Sequence, residues 1–300
     1  MAGRYRLGQL LGTGGMGQVF EARHLMTGRQ VALKRIAASS VAAHPDLERR
    51  VLMEASACGA VDHPNVVQIL DGGWTPEGDL FLVFEHLRGQ TLEAALKNRR
   101  IAPRDLLRCA VRLLDALGAV HESGWVHRDV KPANVFLARG RTGHLEVKLL
   151  DFGIAARPED ARPEDGVMGT LEYMSPEQAL SDPFDGRADV WSLGAVLFRG
   201  LTGRVPYPAK TPAERARSLR QPSARDPREV RPELPADVSS IVSRCLAPEP
   251  ERRFDVEAAV SALLAVDEEA LAQLRPPEPA YESDVEPTES LIEHEAAAGL

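Results

Sequence analysis

Cysteine is scarce in this chain: Cys58, Cys109 and Cys245 are the only three in 300 residues. Their odd number and wide spacing exclude a disulfide framework and a cysteine-rich metal site. Reduced, buried thiols in a reducing compartment remain. Long apolar runs are missing too. The most apolar stretch, Leu193 to Phe198, is ended by Arg199, far short of the roughly 18 residues a membrane helix needs. The first residues enter a strand-like pattern at once, with no apolar targeting segment before it. A cytoplasmic protein without a membrane partner is expected. An excess of basic residues is also lacking. The formal net charge is −8, and after Arg275 there are no Lys or Arg but seven acids: Glu278, Glu282, Asp284, Glu286, Glu289, Glu293 and Glu295. Without them 37 acids face 36 bases. A nearly neutral body argues against nucleic acid as the main partner, which would require a basic face.

What is present is ordinary soluble-globular composition, with 44% hydrophobic and 27% charged residues in a chain long enough for one large or two modest domains. Tyr5 to Leu11 alternates, Gly12-Thr-Gly-Gly-Met-Gly17 interrupts, and Gln18 to Arg23 resumes. A dinucleotide fold would open a helix on such glycines. Here the chain continues as a strand, so the glycines fall in a hairpin whose backbone N–H groups can lie over a triphosphate. Val31-Ala-Leu-Lys34 is a further apolar strand ending in a cation. From Pro45 to Ala60 a helical period places Leu47, Val51, Leu52, Ala55 and Cys58 on one face, and Glu54 falls within that face. A carboxylate facing a core needs a cation, and Lys34 is the natural one. Val66 to Leu70 and Asp79 to Glu85 read as a strand pair, the second apolar throughout like a doubly covered central strand. Arg88-Gly-Gln90 reads as a loop, and helical periodicity dominates after it, over Thr91 to Lys97 and Pro103 to Ser123.

The chain is organised around His127-Arg-Asp129-Val-Lys131-Pro-Ala-Asn134, followed by Asp151-Phe-Gly153. Two carboxylates, a lysine, an arginine and an asparagine between short apolar strands point to a site for a metal and a charged substrate.

With these residues assembled, the chain resembles the eukaryotic-like (Hanks-type) serine/threonine protein kinases, most closely their bacterial members, over about residues 4 to 270. The motifs occur in the family's order: Gly12-x-Gly14-x-x-Gly17-x-Val19, Val31-Ala-Leu-Lys34, Glu54, His127 to Asn134, Asp151-Phe-Gly153, and Ser175-Pro-Glu177 as a variant of Ala-Pro-Glu. The resemblance implies an α+β bilobal kinase fold, an antiparallel-sheet N-lobe with one regulatory helix over 1–87 and a mostly helical C-lobe over 88–274. An acidic, Pro-containing tail over 275–300 is expected to be disordered, with Tyr281, Ser283, Thr288 and Ser290 as candidate phosphorylation sites. It implies ATP as cosubstrate, with Leu11, Gly12, Gly14, Gly15, Gly17, Val19, Ala32, Lys34, Phe84, Glu85, Leu87 and Phe136 around it. Phe84 is the gatekeeper and Glu85 to Leu87 the hinge. Asn134 and Asp151 would hold Mg²⁺, with Mn²⁺ as the alternative ion. Asp129 would accept the proton of a substrate hydroxyl, with Lys131, Lys34, Glu54 and Thr170 completing the catalytic set. Lys131 and Gly169-Thr170 imply protein substrates phosphorylated on Ser or Thr. Asp189 would brace the catalytic loop, and Arg253 would pair with Glu177. A pseudokinase scaffold is the rival reading, and it would show as loss of Lys34, Asp129, Asn134 or Asp151. All four are present. The physiological substrate, the activating signal and the oligomeric state have no signature in the sequence.

One departure from the family stands out. Between Gly153 and Gly169 there is no Ser, Thr or Tyr to phosphorylate, whereas Glu159, Asp160, Glu164 and Asp165 lie there in a doubled Ala-Arg-Pro-Glu-Asp repeat. Either Glu164 or Asp165 supplies a permanent anion to Arg128, or these acids are solvated and a partner orders the segment. Arginines 215, 217, 220, 225, 228 and 231 form a further series, either a solvated face or a dock for an acidic partner or the acidic tail. Asp237 to Leu246 and Asp255 to Leu274 read as two amphipathic helices.

Overall fold

The computed structural model describes residues 3–14, 17–139, 145–152, 155–156, 170–207, 214, 217–218 and 224–278. Gly15, Gly153, the acids of the 159–165 repeat and the four hydroxyl residues of the tail lie outside these. The described chain falls into two compact units. One holds the residues up to Gly59 together with Val67–Arg88, and the other holds Ala60–Val66 and the chain from Gly89 onward.

The first unit is an antiparallel five-stranded sheet with two helices. Strands β1 (Tyr5–Gly14), β2 (Gly17–His24), β3 (Gln30–Ile36), β4 (Ile69–Trp74) and β5 (Leu80–Glu85) stand in the order β1-β2-β3-β5-β4. Helices α1 (Ala38–Ala43) and α2 (Pro45–Gly59) follow β3. Strand alternation sorts the side chains onto two faces. Val31, Leu33, Phe81 and Val83 pack with Tyr5 and Ala22 in one core. Ile36, Leu80 and Leu82 pack with Val51 of α2 in the other. That alternation assigns Ala32 and Lys34 to the face that α2 covers. The strand Leu80–Glu85 is apolar on both faces, yet it is second from the edge rather than central. The edge strand β4 lies at 69–74 rather than 66–70, because its pairing with β5 is carried through Asp71, Gly72 and Gly73, which have no apolar signature.

The edge strands β1 and β4 are also bridged. The Tyr5 hydroxyl donates to Asp71 at 2.7 Å, and Arg4 reaches the same carboxylate at 2.7 Å. Burial, then this bond to a carboxylate, pushes the Tyr5 pKa up to about 12.

The second unit is mostly helical. Gly89–Thr91, expected as loop, is a short strand β6. It pairs with β7 (Val135–Arg139), which pairs with β8 (Leu145–Leu149). Helices α3 (Leu92–Lys97), α4 (Pro103–Glu122), α5 (Pro176–Leu180) and α6 (Arg187–Thr202) are followed by α7 (Pro227–Val230), α8 (Ala236–Cys245), α9 (Val256–Leu264) and α10 (Glu268–Ala272). The region expected as one helix from Asp255 to Leu274 is two. Asp267 caps the second by accepting from the Glu269 N–H at 2.9 Å. Helix α4 buries Leu106, Leu113, Leu117 and Val120 at helical spacing, whereas α6 is buried along its length apart from Arg187 and Arg199. Residues 60–66 join this unit through Asn65, whose side chain donates to the Val147 carbonyl at 2.8 Å, and through a bridge between Val66 and Leu149. Among the described residues no helix is long and apolar enough to cross a membrane.

Candidate active site

In the first unit the pairing of β1 with β2 runs to Gly14 opposite Gly17. Gly17 has φ +140°, and a Cβ there would strike the Arg35 carbonyl oxygen, so a side chain is excluded at this position. Val19 on β2 stands opposite Lys34 on β3, and Ala32 stands opposite Phe84 on β5. Leu11 and Gly12 are exposed on β1, and Glu85 ends β5, with Leu87 two residues beyond. Lys34 Nζ donates to both carboxylate oxygens of Glu54, at 2.9 and 2.7 Å. The Lys34 side chain is 12% exposed and that of Glu54 3%, so each charge depends on the other for solvation.

In the second unit the catalytic-loop candidates converge. Lys131 Nζ lies 2.7 Å from the Asp129 carboxylate and donates to the Thr170 hydroxyl at 2.8 Å. The Thr170 N–H donates to the other Asp129 oxygen at 3.3 Å. Asn134 sits in a single turn of 3-10 helix, and its amide nitrogen donates to the Asp129 carbonyl at 2.9 Å and carboxylate at 3.0 Å. That orientation turns the Asn134 amide oxygen away from Asp129. Asp151 follows β8 with φ +55° and is exposed, and Phe152 beside it is buried. Phe136 is half-buried on β7.

Two contacts tie this hairpin to the loop. The Leu150 N–H donates to the Asn134 carbonyl at 2.8 Å, and His127 Nε2 lies 3.0 Å from the Leu150 carbonyl. Because the Asp129 N–H donates to His127 Nδ1 at 3.3 Å, the ring proton belongs on Nε2 and is donated to Leu150. The oxygens of Asn134 and Asp151 form a hard donor set, which fits a divalent cation of the Mg²⁺ type.

A buried brace holds the loop from below. Asp189, fully buried on α6, accepts from the backbone N–H groups of His127 at 2.9 Å and Arg128 at 2.8 Å, and faces His121 Nε2 at 2.8 Å. Burial pushes its carboxyl upward, but His121 and the other donors outweigh that and hold it below the usual carboxylate value. Arg253 forks onto Glu177 at 2.6 and 2.8 Å in an equally buried place.

Four more side chains join this network without a signal in the apolar pattern: His121, Glu93, Arg199 and Gln178. Glu93 of α3 receives both terminal nitrogens of Arg199, at 2.9 and 2.8 Å, and Arg199 also donates to the Tyr173 hydroxyl. Burial raises the Tyr173 pKa. Gln178 has a signal of another kind, because Ser175-x-x-Gln178 is a capping box, and the structure forms it at the start of α5.

Comparison with known proteins agrees with this arrangement. A family model described as the protein kinase domain matches residues 5–263. Serine/threonine-protein kinase Pkn1 of Myxococcus xanthus is 38% identical over 257 residues, 84% of this chain and 36% of the relative. Serine/threonine-protein kinase PknB of Mycolicibacterium smegmatis is 36% identical over 303 residues, 97% of this chain and 47% of the relative. PknB of Mycobacterium tuberculosis is 36% identical over 270 residues, 87% of this chain and 42% of the relative. This chain thus spans less than half the length of each. With the family model covering most of the sequence, the chain belongs to the protein kinase domain family.

Proposed function

We propose that this chain is an ATP-dependent serine/threonine protein kinase, which transfers the γ-phosphate of ATP to Ser or Thr hydroxyls of protein substrates. The observation that carries the reading is the single hydrogen-bonded cluster of Asp129, Lys131, Asn134 and Thr170. Phosphoryl transfer asks the protein mainly for positioning and for neutralisation of charge. In this cluster a carboxylate suited to accept a hydroxyl proton lies against an ammonium suited to offset phosphoryl charge. Asp129 orients and deprotonates the acceptor, Lys131 sits beside the transferring group, and Thr170 holds both from the peptide-binding side. Lys34, anchored by Glu54, binds the phosphates of ATP, and the backbone of Gly12, Gly14, Gly15 and Gly17 lies over them. Leu11, Val19, Ala32, Phe84 and Leu87 surround the base, with the Glu85 backbone hydrogen-bonding to it. Asn134 and Asp151 hold Mg²⁺, which when bound draws negative charge from the phosphates.

Incorporation of labelled phosphate from Mg²⁺-ATP into a generic protein substrate is expected for the natural sequence and lost in Asp129→Asn. Equal incorporation by both would overturn the assignment. The lack of any hydroxyl residue between Gly153 and Gly169 supports a kinase that is competent without phosphorylation of that segment. Phosphatase-treated protein then keeps its activity, and a large loss would refute this.

A further inference from the structure

Arg128 has φ +69°, a left-handed conformation that a side-chain-bearing residue adopts where its surroundings impose it. Its N–H is fixed by Asp189. The next peptide plane, which joins Arg128 to Asp129, carries the Asp129 side chain and is held at both edges. Its N–H donates to His127 Nδ1, and its carbonyl accepts from Gln178 Nε2 at 2.9 Å. Gln178 is buried, at 6% exposure. Its own oxygen is engaged by the Ser175 N–H at 3.2 Å and the Ser175 hydroxyl at 3.0 Å. The amide cannot flip without placing its oxygen against the Arg128 carbonyl and its nitrogen against the Ser175 N–H. The cap of α5 thus presents one donor, in one orientation, to the peptide that aims Asp129.

We infer that Gln178 is a positioning residue for phosphoryl transfer, locking the Arg128–Asp129 peptide through the capping box of α5. The inference rests on the assignment of Asp129 as the group that receives the substrate proton. It extends the role of the Ser-Pro-Glu-Gln segment from capping a helix to setting the orientation of the catalytic carboxylate.

Gln178→Glu separates the two roles. A glutamate serves the capping box as well as glutamine does, so α5 stays capped, but the donor to the Arg128 carbonyl becomes a carboxylate oxygen. With a peptide substrate at pH 8, kcat is expected to fall about tenfold or more, because small displacements of a reacting group carry large rate penalties. The KM for ATP stays near that of the natural sequence, while the melting temperature falls by roughly 2–12 °C, because a buried carbonyl loses its donor. As the pH is lowered, the introduced carboxyl, raised by burial beside a carbonyl oxygen, takes up a proton and becomes a donor again. Its kcat relative to the natural sequence then recovers. Gln178→Met, which removes the donor without adding charge, serves if the first variant does not fold and is expected to lower kcat with no recovery at low pH. An unchanged kcat in either folded variant overturns the inference. So does a loss of kcat that comes with an equal rise in the KM for ATP, or that shows no recovery in Gln178→Glu at low pH, each measured well below the melting temperature of the variant. Natural protein and Asp129→Asn are assayed alongside. Transfer that does not depend on Asp129 would refute the kinase reading itself, whereas an active natural protein beside an equally active Gln178 variant would refute only the role of Gln178.

Discussion

Replacing Arg253 by lysine preserves a positive charge opposite Glu177 and removes nearly everything else that the guanidinium does. Arg253 is 3% exposed. It makes two bonds to the Glu177 carboxylate and three more to the carbonyls of Ala247, Arg187 and Pro248, at 2.8, 3.2 and 2.9 Å. Its guanidinium carbon lies 4.9 Å from the centre of the Trp191 ring. A lysine ammonium has three donors on a point charge and cannot reproduce a planar fork, so at least two of these five acceptors, of which the carbonyls are part-buried, lose their partner. Two fully buried acceptors left unsatisfied would cost about 2–6 kcal/mol, and part-burial of the carbonyls brings the change to about 2–4 kcal/mol. Arg253→Ala should cost at least the ~3–5 kcal/mol of a broken buried ion pair. For a domain of this size each kcal/mol lowers Tm by about 2–4 °C, so Arg253→Lys is expected to melt roughly 4–16 °C below the natural sequence. Removing both charges with Glu177→Leu and Arg253→Met should not restore stability, because the Ala247 and Pro248 carbonyls would still lose their donor. Calorimetry together with urea denaturation reads this directly. An Arg253→Lys protein that melts within about 2 °C of the natural sequence would show that water or rearrangement satisfies these acceptors, and the reasoning would fail.

Burial pushes the thiols of Cys58, Cys109 and Cys245 each up to about 12. All three should therefore resist alkylation at pH 8 in the native chain and react once it is unfolded. Rapid native labelling of any one, read by mass spectrometry, would contradict its buried placement. Asp189 binds its proton less readily when folded than when unfolded, so its contribution to stability is complete above the ordinary aspartate value, about 4, and is lost as pH falls through the lower folded value. Stability measured from about pH 5 down to 2 should thus fall less steeply in Asp189→Asn than in the natural sequence, and identical slopes would refute the assignment.

The parts of this fold legible in the sequence are those where charge interrupts an apolar pattern. Lys34 at the end of Val31-Ala-Leu, and Glu54 inside the apolar face of α2, each imply a partner, and period-2 alternation limits which face Lys34 can occupy. Strand β4 was hidden because an edge strand pairs through its backbone, and Asp71-Gly-Gly73 has no apolar alternation to reveal it. Strand β6 was hidden because three residues carry no period. Helix α10 was merged with α9 because Val266 and Leu271 continue the apolar count, and only Asp267, which interrupts it as a cap, marks the break. Arg199 reads in the sequence as the end of an apolar run. In the fold it is the hub between Glu93 and Tyr173, 106 and 26 residues away, and no local pattern encodes a contact of that range.

The same helix shows how the apolar core and the candidate site are coupled. Helix α6 is buried nearly all round, which fixes it as the rigid element of the second unit. Three of its polar residues, Asp189, Ser192 and Arg199, are spaced by three and seven residues and at 100° per residue share one stripe of the helix, whereas Arg187 and Thr202 lie off it. Asp189 holds the backbone ahead of Asp129, Ser192 Oγ donates to the Tyr173 carbonyl at 2.7 Å, and Arg199 holds the Tyr173 hydroxyl. The loop that carries Asp129 and the turn after Thr170 are therefore referenced to one stripe on one helix, and Lys131 and Asp129 meet Thr170 between them. Asp189 and Ser192 are costly to bury, Arg199 is costly to cover in part, and apolar residues would serve better if packing were the only demand. The stripe they share marks a face that sets the geometry of the candidate site, while the rest of the helix supplies stability.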